Sequence, residues 1–228
     1  MILKICLNLI YYVFFSNLTE NNKTCSNIKI YNPKAKSGSY VIDPDGDLGT
    51  APFTVHCDMT DKNEVGVTVV GHDSETRMLV DGFGDRGSYV RHVHYLGAGL
   101  TELPQMTSLV ASSSHCEQFI KFECRNTILF YNGDAFGWWV SRDFVAMNYW
   151  GGATSADPYK CACGLTNTCA DTSYGCNCDK NDSSWREDSG LLTEKAYLPV
   201  IKLKFGDTDD PGEQGYHTLG KFKCYGIT

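Results

Sequence analysis

Five cysteines fall in one run, KCACGLTNTCADTSYGCNCD: Cys161, Cys163, Cys169, Cys176 and Cys178. All four tryptophans, Trp138, Trp139, Trp150 and Trp185, lie with them in the longer stretch from Gly137 to Trp185. Thiolates at this spacing can hold zinc, whereas oxidised cysteines staple a loop too polar to pack by itself. The redox compartment decides between the two, and the N-terminus speaks to the compartment. Met1–Ser16 reads MILKICLNLIYYVFFS, one lysine ahead of an apolar run from Ile5 to Phe15. That pattern is a secretory signal peptide, too short to span a bilayer. A polar stretch follows in which Asn17 and Asn22 occupy N-x-[ST] sequons, and Asn181 occupies a third. Loss of the leader takes Cys6 with it and leaves ten of the 11 cysteines, an even number. We therefore expect a secreted glycoprotein with up to about five disulfides rather than a zinc site. Neither C-x-C pair can close on itself, because side chains alternate faces along extended chain. Cys161 and Cys163 must each bond elsewhere, as must Cys176 and Cys178.

Other chemistries find little support. The chain has no G-x-S-x-G, no H-E-x-x-H and no glycine loop that would cradle phosphate. We expect no enzyme. His92 and His94 alternate along Tyr89–Leu96 and could share a metal, but they read more simply as a polar strand face. The net charge of -7 argues against nucleic acid. No second apolar run of about 20 residues follows the leader, so no membrane anchor is expected.

The elements that must position these groups are short. Tyr40–Ile42 and Phe53–Cys57 read as strands around the turn IDPDGDLG. Asp43, Asp45 and Asp47 place hard oxygens at alternate positions of that turn, as a calcium loop or as a solvated turn. The bidentate carboxylate that closes an EF-hand loop is missing, which favours the turn. Val65–His72, Tyr89–Leu96, Cys116–Cys124 and Ile128–Tyr131 read as further strands, with Ile120 and Phe122 pointing inward. Pro104–Ala111 reads as a short helix entered at proline. Trp138, Trp139, Tyr149 and Trp150 flank Gly151-Gly152 and are expected to form a binding face, one of the adjacent tryptophans turning into the core. Asp143, Asp179, Asp182 and Asp207–Asp210 are expected to give the surface an acidic cast that attracts calcium or a basic partner.

Several of these segments carry a family resemblance. SGSYVIDPDG and PFTVHCDM resemble the opening of fibrinogen-like domains. HCEQ, WWVSRD, NYWGG, KCACG, CNCD, WREDSGLL, YLPV and GDTD, in that order, resemble the fibrinogen-like region of contactin-associated proteins of the neurexin-IV type, from Ser37 to Tyr225. IKFECRNTI and LPVIKLKFGD resemble, more distantly, the C-terminal propeptide of fibrillar collagens. The resemblance implies an α+β fold: a signal peptide (1–16), a polar segment (17–36), then a single fibrinogen C-terminal-like domain (37–228). That domain would hold a mixed or antiparallel sheet, short helices and a long disulfide-stapled C-terminal loop region. It implies bonds Cys25–Cys57 and Cys124–Cys224; Cys116 is then assigned to Cys161, and the remaining four cysteines cross-link the loop. It implies a secreted, non-catalytic adhesion or matrix protein that binds other extracellular proteins. The alternatives are a fibrinogen-related lectin for sugars or acetyl groups, and a collagen-propeptide-like assembly module. The chain departs from these patterns in three places. Gly66-Val67-Thr68-Val69 lacks the usual tryptophan, the acidic calcium loop before the lectin pocket is not matched, and Gly-X-Y repeats are absent.

Overall fold

The computed structural model describes residues 22–46, 49–97 and 102–228. The expected leader, Asn17 and Asp47 lie outside them. The chain divides into two units: Met1–Val70 with Leu96–His115 and Lys223–Thr228, and Gly71–Tyr95 with Cys116–Phe222.

The first unit opens on helix α1 (Cys25–Tyr31). Thr24 caps it, its Oγ1 accepting the Asn27 N–H at 3.3 Å and donating to Asn27 Oδ1 at 2.8 Å. Strands β1 (Gly38–Ile42), β2 (Phe53–Asp58) and β3 (Val67–Val70) form an antiparallel meander. Along β2 the side chains alternate, Phe53, Val55 and Cys57 inward, Thr54 and His56 outward. Cys57 bonds Cys25 and so ties the meander to α1. Gly66 makes that docking possible: a Cβ there would lie 2.4 Å from the Cys25 carbonyl oxygen, and its φ is +76°. Helix α2 (Glu102–Ala111) closes the unit by burying Met106, Leu109 and Val110, and its Gln105 amide donates to the Ala51 carbonyl.

The second unit holds β4 (Met78–Val80), β5 (Tyr89–His92), β6 (His115–Arg125), β7 (Phe130–Tyr131), β8 (Asp134–Ala135), β9 (Trp138–Val140) and β10 (Ala146–Met147). Helix α3 (Ala162–Thr166), a 3-10 turn at Cys178–Lys180, β11 (Arg186–Leu192), β12 (Lys202–Phe205) and most of β13 (Gln214–Tyr225), as far as Phe222, complete it. One sheet sets β6 between β11 and β13, with β4 on β13; the other runs β10-β9-β12-β5. The registers described are antiparallel throughout. β7 and β8 form a hairpin whose turn residues Asn132 and Gly133 both have positive φ, the requirement of a tight two-residue turn. Between the sheets, Phe122 stacks on Phe205 at 4.5 Å, and Trp150 meets Phe205 edge-on at 5.9 Å. Ile120 and Phe122 are buried, as their alternation along β6 required. The fold is thus α+β with antiparallel sheets and short helices.

Candidate functional site

The cysteine-rich loop is oxidised. Cys161 bonds Cys176, Cys163 bonds Cys169, and Cys124 bonds Cys178. No C-x-C pair closes on itself. Cys116 and Cys224 are disulfide-bonded as well. Two expected bonds are therefore corrected: Cys124 does not reach Cys224, and Cys161 does not reach Cys116. The register explains the first. Arg186 opens β11 opposite Cys124, so the turn just before β11 returns to the end of β6, where the Asn126 N–H donates to the Asp182 carbonyl at 2.9 Å. Zinc has no place here. Among the described residues, Cys161, Cys176 and Asp188 bring three ligand atoms within 4.8 Å, but the two sulfurs are bonded to each other.

The aromatic residues expected to face a partner divide differently. Trp139, Tyr149 and Trp150 are core residues. Each indole N–H finds a main-chain acceptor inside: Trp139 donates to the Tyr149 carbonyl at 2.9 Å, Trp150 to the Asp188 carbonyl at 3.0 Å. The expected binding face is not built from these three. Trp138 is half-buried, its ring over Gly87 and under the Lys204 ammonium at 5.1 Å. Gly151 serves packing too. A Cβ there would lie 2.5 Å from the Gly190 oxygen, and a Cβ on Gly190 would lie 2.6 Å from the Gly151 carbonyl carbon. Two backbones touch where the sequence suggested a flexible contact surface.

Two carboxylates expected to lie at the surface or left without a role organise the loop from within. Asp188 accepts from the main-chain N–H of Asn177 at 3.0 Å and of Cys178 at 2.8 Å, and from the Asn177 amide at 3.2 Å. Asp179 accepts from the N–H groups of Leu129 and Phe130 at 3.0 and 2.9 Å. Burial pushes the Asp179 carboxyl up to about 7 and that of Asp188 up to about 6, against the N–H groups that favour their ionised forms. Asp179 thus leaves the expected acidic surface. Asp207 is half-buried, raised to about 6 by burial and then by the Glu213 charge, and accepts from the Ile128 N–H at 3.0 Å.

A different aromatic group faces solvent. Trp185 is 47% exposed and leans on Tyr216 at 5.6 Å, while the Arg77 guanidinium lies 3.3 Å from the Tyr216 ring centre. Arg77 is also hydrogen-bonded to Glu123 at 2.8 Å, and Arg186 is held by Asp182 at 2.6 Å. Arg77, Glu123, Trp185, Arg186 and Glu187 line a shallow cavity of about 310 Å³. The register Arg186↔Cys124 and the strand pairing Tyr216↔Leu79 bring these residues together from three parts of the chain. Nothing in local spacing signalled it beyond the lone tryptophan of WRED.

The remaining candidates fall as follows. Asp43 Oδ1 accepts from Gly46 N–H at 3.0 Å, and Asp45 Oδ2 accepts from the Thr50 N–H and hydroxyl, each at 3.0 Å. These are the bonds of a closed turn. His92 and His94 are both exposed, and the described residues place neither in a group of metal ligands. Asn22 and Asn181 are exposed. No helix among the described residues is long and apolar enough to cross a membrane.

The model of the fibrillar collagen C-terminal domain family matches residues 17–139, more than half of the chain. The chain belongs to that family, in its fibrinogen-like, contactin-associated form. It is 36% identical over 217 residues to Neurexin-4 of Drosophila melanogaster, covering 91% of this chain and 16% of that protein. It is 36% identical to contactin-associated protein 1 of Rattus norvegicus and 35% identical to that of Homo sapiens, each over 192 residues. These matches cover 83% of this chain, and 14% and 13% of the two proteins. The chain therefore spans about a sixth or less of the length of these relatives. Its kinship is with neurexin-4 and the contactin-associated proteins, and it is a disulfide-stabilised extracellular domain.

Proposed function

We propose that this domain is a non-catalytic recognition module that binds another extracellular protein, and that the Trp185–Tyr216–Arg77 surface makes the contact. The observation that carries this reading is the exposed tryptophan seated on a tyrosine that is itself stacked by an arginine. Trp, Tyr and Arg dominate the energetics of protein interfaces because they offer large contact area at low entropic cost. Here each is pre-positioned: Trp185 directly precedes β11, Tyr216 lies on β13, and Glu123 fixes the guanidinium. The relatives support the class of partner, since the name contactin-associated protein describes association with another protein.

The test uses the secreted domain, labelled and applied to intact cells. Saturable binding that falls at least tenfold in Trp185→Ala and in Arg77→Ala, with both variants retaining the native near-ultraviolet spectrum, supports the reading. Absence of saturable binding, or binding indifferent to both substitutions, defeats it. Calcium-dependent retention on a glycan array would instead place the protein with the lectins.

A further inference from the structure

A second, smaller cavity of about 180 Å³ opens beside the β7–β8 hairpin, away from the Trp185 surface. Tyr131, Tyr159 and Tyr174 wall it, together with Phe130, which meets Tyr159 edge-on at 5.7 Å. Tyr131 stands 47% exposed at the rim. Asp179 also lines the cavity, although its own surface is only 3% exposed. A buried carboxylate ordinarily has a cation beside it or a metal on it. Asp179 has hydrogen bonds from Leu129 and Phe130, and the Asp188 charge that bears on it is of the same sign. Asp179 thus stands at the end of the disulfide-laced loop and lines a space that Tyr131, Tyr159 and Tyr174 also line. Aromatic faces are negative and draw cations toward them, most strongly where water is excluded. Calcium would need six to eight oxygen ligands, which walls of tyrosine rings do not supply.

We propose that this cavity receives the ammonium or guanidinium head of a lysine or arginine side chain of a partner protein, with Asp179 as counter-charge and Tyr131, Tyr159 and Tyr174 as the cage. The inference rests on the reading that the domain recognises proteins, and it supplies a basic-residue pocket apart from the Trp185 surface. Tyr159 is fixed for this role by an unusual backbone: its φ is +60°, and its N–H donates to the Asn148 carbonyl at 2.6 Å. The turn at Asn132-Gly133 does the same for Tyr131 by closing the hairpin next to it.

The experiment is a titration of the isotope-labelled domain, followed by nuclear magnetic resonance, with Nα-acetyl-lysine amide and Nα-acetyl-arginine amide. Nα-acetyl-norleucine amide is the uncharged control. Saturable shifts at Tyr131 and Tyr174 with at least one cationic probe, and none with the control, are expected. Asp179→Asn keeps an oxygen for the Leu129 and Phe130 N–H groups and should weaken the probe at least tenfold. Tyr131→Ala changes a rim residue and should do likewise in a fully folded protein. Equal response to the norleucine probe, no response to either cation, or unchanged affinity in Tyr131→Ala would overturn the proposal. So would saturation of the same residues by calcium alone. Because the probes stand in for a side chain and need no partner, failure here leaves the Trp185 surface standing, and cell binding tests that surface independently.

Discussion

The indole N–H of Trp150 donates to the main-chain carbonyl of Asp188, while the Asp188 carboxylate holds the N–H groups of Asn177 and Cys178. One residue of β11 therefore joins a core tryptophan to the cysteine loop. Trp150→Phe keeps a ring in place and removes that bond. The expected loss is about 0.5–1.5 kcal/mol, the net contribution of one buried hydrogen bond. Urea unfolding monitored by far-ultraviolet dichroism measures it, and an unchanged midpoint would show that the bond contributes nothing.

The disulfides differ in how much chain they close. Cys124–Cys178 spans 54 residues and Cys163–Cys169 spans 6. Constraint of the unfolded chain predicts about 4 kcal/mol for the first and about 2 kcal/mol for the second. The paired alanine variant of Cys124 and Cys178 should accordingly unfold at markedly lower urea than that of Cys163 and Cys169. Non-reducing peptide mapping of the native protein should recover Cys124 joined to Cys178. A peptide joining Cys124 to Cys224 would contradict the register of β6 and β11.

Much of this was legible in the sequence, and the illegible parts share a cause. The alternation of Phe53, Val55 and Cys57, the inward Ile120 and Phe122, and the impossibility of closing a C-x-C are local properties of extended chain. Which cysteine meets Cys124 depends instead on where β11 pairs, a long-range fact with no local marker. One of the adjacent tryptophans, Trp139, turns into the core as expected, but which of the others face outward was illegible for a related reason. An indole with its N–H satisfied by a carbonyl packs in a core as readily as it stands at a surface, and only the fold separates Trp150 from Trp185. Charge misled most at Asp179, whose burial depends on N–H groups some fifty positions away along the chain. Asn132-Gly133, by contrast, is a hairpin signal that the strand reading Ile128–Tyr131 passed over; only Phe130–Tyr131 is strand.

Gly151 and Gly190 place two backbones in contact, with no room for a methyl group on either. Gly190→Ala must push β11 from the Gly151 segment, because the atoms it meets are main chain and cannot rotate away. Overpacking of this kind costs about 1–3 kcal/mol or more. The Trp150–Asp188 bond lies close by in sequence on both sides, so near-ultraviolet dichroism from tryptophan should change along with the urea midpoint. A variant with native spectrum and native midpoint would mean that the two segments are not packed as described.

Asp179 sets a pH dependence whose sign can be worked out. Its carboxyl titrates near 7 in the folded chain and near the ordinary carboxylate value, about 4, when unfolded. Between those values the folded state holds more protons, so this group's contribution to stability is full at acidic pH and declines as pH rises from about 4 to about 7. His217 opposes it: burial lowers its imidazole to about 4, so the unfolded state binds more protons up to about pH 6.5 and stability from this group rises with pH. The raised carboxyls of Asp188 and Asp207 act in the same direction as Asp179, so the wild-type profile alone mixes several groups, and the isosteric variant isolates Asp179. Asp179→Asn retains an acceptor for the Leu129 and Phe130 N–H groups and cannot ionise. Its stability relative to wild type should improve by roughly 1–3 kcal/mol between pH 4.5 and pH 7.5, up to the linkage limit of a carboxyl moved from about 4 to about 7. Parallel urea curves for the two proteins across that range would show that Asp179 carries its charge in the fold without penalty.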